Sequence, residues 1–424
     1  MISSQGDTKP SVNLSQAPAT KVSVIAPDVS GGGMTRVYLV SQILQRLGYN
    51  VEVLGCQFGN AIYPPPPETL TVSTVPGKKL PGFIGSATQL LNKIQGDIIY
   101  AIKPRPTSLG IALLKKFYTR RPVLLDIDDW ELSWFGGESY DYRPSLKEFA
   151  RNFLRSDGAL RDLEHHFYIS LGEGWVPKAD VVTVNNQFLQ QKFGGHYLPN
   201  SKDTHIFDPG RFDPAASRQK YGLANYRVLM FPGTARPHKG LEDVLTALDT
   251  LNQPDLRLVI VGGRKPDGYE DDLLKKWPQW LIKLPRFPLD QMAEVVAAAH
   301  IVVVPQRDTP TAQAQFPIKL TDGMAMAKPI LSTTVGDIPK IVGDAGYLVA
   351  PHAPGELAEM LQTILNNPGQ AASRGRLGRE RCIQHYSVDA MAETLGPLIQ
   401  QCLKRQPWNQ LGYKNKGVAG PRYE

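Results

Sequence analysis

The sequence predicts an α/β protein built from two successive doubly wound parallel sheets. Three observations carry this. Short apolar runs alternate with helically spaced apolar residues from residue 21 to 184, a second such series runs from 227 to 333, and a turn-rich linker near 199–215 separates them. A chain of 424 residues also exceeds one ordinary core, so two domains are expected.

The elements follow in order. Lys21 to Pro27 reads as a strand and Val51 to Cys56 as a second. Between them Met34 to Leu47 has helical spacing, and Gly48 marks its end. That βαβ unit implies a parallel sheet with a right-handed crossover. Asp97 to Ile102, Val123 to Asp128 and Val181 to Val184 continue the alternation. The second series begins after Phe207-Asp208-Pro209. It comprises a strand at Arg227 to Phe231, a helix at Leu241 to Leu251, and strands at Leu256 to Val261, Val302 to Pro305 and Ile330 to Thr333. Ligands of such sheets bind at the carboxyl ends of the strands, so a cleft between the two domains is the expected site.

Composition narrows the class. With 42% hydrophobic and 21% charged residues, the chain is globular rather than largely disordered. No stretch approaches the roughly 20 apolar residues of a membrane-spanning helix. Residues 1–20 are polar and read as a disordered leader, and residues 404–424 as a basic tail. Cys56, Cys382 and Cys402 give neither a disulfide framework nor metal spacing, which favours a reducing cytoplasm. The net charge of +7 points to anionic partners, but no zinc-finger or RNA-binding signature accompanies it.

Four segments carry candidate chemistry. Ser30-Gly31-Gly32-Gly33 follows the first strand and opens a helix, an arrangement suited to a pyrophosphate. Tyr197-Leu198-Pro199-Asn200, with Asp203 to Pro209, is turn-rich; a purely structural linker explains it equally well. Phe231 to Gly240 places Gly233, Arg236, His238 and Lys239 at a strand's carboxyl end. There a forked donor and a point charge can neutralise a leaving diphosphate. Gln315-Phe316-Pro317-Ile318-Lys319-Leu320-Thr321-Asp322-Gly323-Met324-Ala325-Met326-Ala327-Lys328-Pro329 reads as a loop and a helix bearing Lys319 and Asp322 near its start.

In this order the segments resemble the retaining nucleotide-sugar glycosyltransferases of the GT-B type, family four, also called group 1. The resemblance covers most of residues 21–400. It implies two Rossmann-like domains facing across a cleft: 21–205 on the acceptor side, 206–385 binding the nucleotide sugar, and a helix at 386–403 returning to the first domain. It implies donor contacts from Gly32, Gly33, Gly233, Arg236, Lys239, Lys319 and Asp322, with Asp322 on the ribose hydroxyls. Two departures stand out. Ser201 replaces a usual glycine in the crossing segment. Many members also carry a carboxylate eight residues before the position of Asp322, where this chain has Ala314. Gln313 or Gln315 is then the candidate to hold the sugar hydroxyls.

Asp126, Asp128, Asp129 and Glu131 cluster at the end of a buried strand, where the family commonly has a His-Asp pair. Three readings stay open: sugar contact (ranked first), helix capping, and Mg²⁺ binding. Trp130 is a candidate stacking residue for a sugar ring, and Asp128, Arg236 and Lys239 are the candidate catalytic residues. The resemblance implies no metal or other cofactor.

Residues 103–121 hold Lys103, Arg105, Lys115, Lys116, Arg120 and Arg121 and no acid. This is either a solvated face or a patch for an anionic membrane surface. The expected activity is transfer of a sugar from a nucleoside diphosphate sugar to a glycan or lipid-linked saccharide, as in polysaccharide biosynthesis. The expected location is the cytoplasm or the inner face of its membrane. A GT-B-like sugar-nucleotide epimerase and a non-catalytic sugar-nucleotide-binding scaffold are the alternatives. A dinucleotide dehydrogenase is disfavoured, because G-x-G-x-x-G spacing is missing and Val51 to Cys56 ends without an acid.

Overall fold

The computed structural model describes residues 20–264 and 266–404; apart from Thr20 and Lys404, the expected leader and tail lie outside the described residues. The first sheet contains β1 (Lys21–Ala26), β2 (Asn50–Gln57), β3 (Val72–Pro76), β4 (Ile98–Ile102), β5 (Val123–Ile127), β6 (Val181–Val184) and β7 (His196–Tyr197). All are parallel, in the order β3-β2-β1-β4-β5-β6-β7. The second contains β8 (Arg227–Phe231), β9 (Leu256–Val261), β10 (Leu281–Leu284), β11 (Ile301–Val304), β12 (Ile330–Thr333) and β13 (Gly346–Val349). It too is parallel, ordered β10-β9-β8-β11-β12-β13. The expected fold class holds.

Continuous apolar runs explain this architecture. β4 (Ile-Ile-Tyr-Ala-Ile) and β11 (Ile-Val-Val-Val) are buried at every position, which requires helices on both faces of each sheet. Each sheet accordingly has one apolar cluster on either face. The strand order reverses between β1 and β4 in one sheet and between β8 and β11 in the other. Both switch points open at the carboxyl ends, where doubly wound sheets bind ligands.

The chain crosses between domains twice, side by side. The Lys202 N–H donates to the Tyr386 carbonyl at 2.8 Å, and the Val388 N–H to the Lys202 carbonyl at 3.0 Å. The final helix, Val388–Lys404, then returns to the first domain. Its Leu395, Ile399 and Cys402 join the cluster around Val37 and Ile43, and Asp389 pairs with Arg46.

Candidate active site

The second domain's wall is built on the loop after β8 and the helix Ile318–Ala325. Gly233 has no side chain because Lys319 lies against it; a methyl there would overlap the lysine's Cε. Lys319 extends past Phe231, its Nζ 5.3 Å from the ring centroid. Gly240 adopts φ 66° and ends the Lys-Gly turn, where a Cβ would strike the Pro305 carbonyl. Lys239 is thereby buried, donating at 2.7 Å to the side-chain oxygen of Gln315. Burial, then Lys319 and Arg236, pull the Lys239 ammonium well below the usual lysine range, against the opposing pull of Asp129. Burial and the same three cations push His238 down to about 3, so its ring is neutral at physiological pH. Burial also lowers Lys319. Among the described residues, Arg236, Lys239 and Lys319 have no carboxylate at ion-pair distance, and the Arg236 guanidinium makes no hydrogen bond; its carbonyl accepts from the Lys239 N–H at 2.9 Å. Three basic side chains crowd one wall, and Asp322 and Asp129 act on Lys319 and Lys239 only from beyond ion-pair distance.

The first domain's wall faces them. Lys103 follows β4 with φ 67°, a left-handed backbone rare for a non-glycine residue. Its ammonium lies 3.5 Å from Asp128 and 3.1 Å from Glu131. Arg105 closes on Glu131 at 2.6 Å and 2.8 Å and pairs with Glu164 at 2.6 Å. Despite burial, Lys103 and Arg105 hold Glu131 down at about 2. Asp129 has no such partner. Burial, reinforced by Asp128 and Glu131, pushes it up to about 6, and its Oδ1 is buried without a hydrogen bond. The helix Met34–Arg46 opens at Gly33 with no side-chain cap, beside Lys103. Gly32 is exposed, with open space where a Cβ would stand.

The walls touch at defined points. Asn186 Nδ2 donates to the Ala314 carbonyl at 2.7 Å, the Gln187 N–H to Asp337 at 2.9 Å, and Ser133 meets Thr311 at 3.4 Å. Trp134 lies edge-on to His238, with centroids 5.8 Å apart.

The structure therefore brings Asp128, Asp129, Arg236, Lys239, Lys319 and Gln315 to one cleft and corrects two expectations. Asp126 is no sugar ligand. It is wholly buried under a bidentate Arg36 (2.8 Å to each oxygen) and accepts from Thr183 at 2.7 Å. Trp130 is no open stacking platform. It is 3% exposed, packs on Phe188, lies beneath the Lys192 ammonium and donates its N–H to Glu173 at 3.1 Å. Much of the basic run at 103–121 is also internally committed. Lys103 and Arg105 are paired as above, Lys115 and Arg121 bind the Leu91 and Ile94 carbonyls, and Lys116 pairs with Asp180 at 2.7 Å.

Sequence reasoning missed Arg36 and Lys202, and it placed Lys103 only in the basic run at 103–121. An arginine amid the apolar residues of a core helix was the available signal for Arg36. Lys202, from the crossing segment, forms an ion pair with Asp322, and no local pattern announces it.

Two parallel doubly wound domains meeting over such a cleft define a GT-B protein. Solved structures agree over nearly the whole chain. Sucrose-phosphate synthase from Thermosynechococcus elongatus has a TM-score of 0.67 at 18% identity, covering 91% of this chain and 100% of that one. Anabaena Alr3699/HepE in complex with UDP-glucose has a TM-score of 0.65 at 16% identity, covering 90% of this chain and 100% of that one. The family described as glycosyl transferases group 1 matches residues 226–367, which lie in the second domain. The D-inositol 3-phosphate glycosyltransferase of Corynebacterium glutamicum (strain R) is 29% identical over 248 residues, 53% of this chain and 57% of that protein. A GDP-mannose-dependent monoacylated alpha-(1-6)-phosphatidylinositol monomannoside mannosyltransferase of C. glutamicum (strain ATCC 13032) is 26% identical, over 53% of this chain and 62% of its own. The chain thus spans less than two thirds of the length of these curated relatives.

Proposed function

We propose that the chain is a retaining glycosyltransferase that moves a sugar from a nucleoside diphosphate sugar to a hydroxyl of a glycan or lipid-linked saccharide. One observation carries this reading: Arg236, Lys239 and Lys319 share a cleft wall without a carboxylate counter-ion. Gathering three basic side chains in a sheltered site disfavours their charged forms, that of Lys239 above all, until an anion arrives to neutralise them. A diphosphate leaving group is such an anion, and its charge grows as the glycosidic bond breaks. The Met34, Thr35 and Arg36 N–H groups already bond to the Gly31, Gly32 and Gly33 carbonyls, so the further N–H donors are those of Gly32 and Gly33 just before the helix.

Asp128 and Asp129 stand opposite, where the sugar and acceptor would lie. Asp128 is charge-balanced by Lys103. Asp129, raised to about 6, is mostly ionised at physiological pH and accepts hydrogen bonds there, with a minor protonated fraction able to donate one. With positive charge already present on the opposite wall, no metal is needed to stabilise the leaving group. Contacts between the walls exclude water from the reacting centre.

The test is a thermal-shift screen of sugar nucleotides, followed by transfer of radiolabelled sugar to saccharide acceptors. The expected result is stabilisation by one donor and label in the acceptor, both weakened in Lys239→Ala. Conversion of the free sugar nucleotide would instead make the chain an epimerase, and binding without turnover a scaffold.

A further inference from the structure

We infer that the helix Leu146–Leu154 is an interfacial element that lies on the surface of an anionic bilayer. The helix belongs to the long connection that leaves β5 at Asp128 and Asp129 and rejoins the sheet at β6. It is deliberately started: Ser145 and Glu148 form a reciprocal capping box. Yet none of its residues is buried in the protein. Its apolar residues fall at i, i+3, i+7 and i+8, a single stripe. Leu146 is 91% exposed, Leu154 76%, Phe153 44% and Phe149 37%. Phe149 and Phe153 lie parallel at 6.4 Å, extending an aromatic surface that continues to Phe167.

The flanks decide what covers the stripe. Lys147, Arg151 and Arg155 are exposed, and the helix's one acid, Glu148, is used in its cap. Among the described residues Lys147 and Arg151 have no ion pair, whereas Arg155 pairs with Asp157. An apolar stripe bordered by free cations matches acyl chains beneath anionic headgroups. A second copy of this chain would set the same cations against each other. Nine residues also make a helix only about 13 Å long, too small for the roughly 800 Å² per partner that a stable protein interface needs.

This surface is distinct from the basic run at 103–121. There Lys116 is held by Asp180, and Phe117 and Tyr118 lie near the amino end of β5, away from the cleft. Docking through Leu146–Leu154 instead anchors the connection whose Ser133 and Trp134 line the cleft. The inference is independent of whether the chain transfers sugar.

The test is co-sedimentation of the full chain with vesicles of phosphatidylglycerol and phosphatidylcholine in equal parts, and of phosphatidylcholine alone. The wild type is expected to pellet with the mixed vesicles only and to be released by salt. Leu146→Glu with Leu154→Glu is expected to reduce the bound fraction roughly tenfold without shifting the thermal melt, since both side chains already face solvent. Lys147→Glu with Arg151→Glu should lose the mixed vesicles as well. The inference is overturned if the wild type stays in solution, if either double variant binds undiminished, or if Phe117→Glu carries the loss instead. It is equally overturned if the wild type self-associates without vesicles and the leucine variant does not.

Discussion

Lys202 on the first interdomain crossing forms an ion pair with Asp322 on the helix Ile318–Ala325, and both side chains are sheltered, at 15% and 8% exposure. The same lysine holds the return crossing through its backbone, on both sides, at Tyr386 and Val388. The carboxylate expected to grip a ribose is therefore tied to the segment that crosses between the domains. Removing one partner of a sheltered pair strands the other. Lys202→Met is expected to cost about 3 kcal/mol in urea unfolding, and Lys202→Met with Asp322→Asn to recover most of it. A double-variant loss equal to the sum of the separate Lys202→Met and Asp322→Asn losses would show that the pair is not energetically coupled.

Arg36 and Asp126 form the other ionic junction. Arg36 also donates to the Leu198 carbonyl at 2.7 Å, the Pro199 carbonyl at 3.2 Å and Asn200 at 3.1 Å. One guanidinium thus joins a helix, a central strand and the start of the crossing. Arg36→Met should destabilise the chain by about 3–5 kcal/mol, because it leaves Asp126 charged and wholly buried. Asp126→Asn should cost less, since the amide still fills the space and accepts one of the two bonds. A chemical-denaturation series on the two variants measures the difference, and the reverse ranking would contradict this account.

Both junctions show what the sequence made legible. The helix at Leu241–Leu251 and the strand at Leu256–Val261 coincide with the expected residues, because period 3.6 and buried β runs are local signals. Arg236, Lys239 and Lys319 were readable because strand-end loops and a helix start carry them. Asp126 and Trp130 misled because a strand-end carboxylate or aromatic looks the same whether it faces a ligand or a buried partner. Their partners, Arg36 and Glu173, lie 90 and 43 residues away in sequence. The short edge strand β7 and the helix Leu146–Leu154 offered too few residues for a periodicity to register.

The depressed Lys239 ammonium makes donor binding a proton-uptake event. In the empty cleft, burial, Lys319 and Arg236 favour the neutral amine. A bound diphosphate reverses that field and raises the group's pKa. Protons are taken up wherever pH lies between the free and bound values, and affinity falls as pH rises through that window. Calorimetry in buffers of differing ionisation enthalpy reads the uptake directly. Lys239→Met should abolish it while leaving the fold intact; uptake unchanged in that variant would move the effect to another group.

Asp129 gives a pH signature of opposite use. Its pKa is raised to about 6 from an ordinary 3.8, so its ionisation opposes folding. The sign is fixed by linkage. The stability attached to its protonated form is fully present below about pH 4 and is lost as pH rises through about 6. A displacement of two units corresponds to on the order of 3 kcal/mol. Asp129→Asn should therefore raise the melting temperature at pH 8 and leave it unchanged at pH 4. A variant less stable than wild type at pH 8 would mean that Lys239 repays the ionised form.

Ala314 occupies the position where many relatives carry the first carboxylate of the donor-site pair, and restoring that carboxylate should harm this chain. The side chain is 0% exposed and packs into the first domain's cluster with Ile127, Trp130, Leu132 and Val184. Its carbonyl receives Asn186, so backbone and side chain both serve closure of the two walls. Glutamate would place four further heavy atoms in a filled space, an overpacking cost of about 1–3 kcal/mol, and would bury a charge with no free cation among those neighbours. Ala314→Glu is expected to lower the melting temperature and to weaken sugar-nucleotide binding by separating the walls, whereas Ala314→Gly should leave binding nearly intact. A gain of transfer in Ala314→Glu would show that the position still faces the sugar.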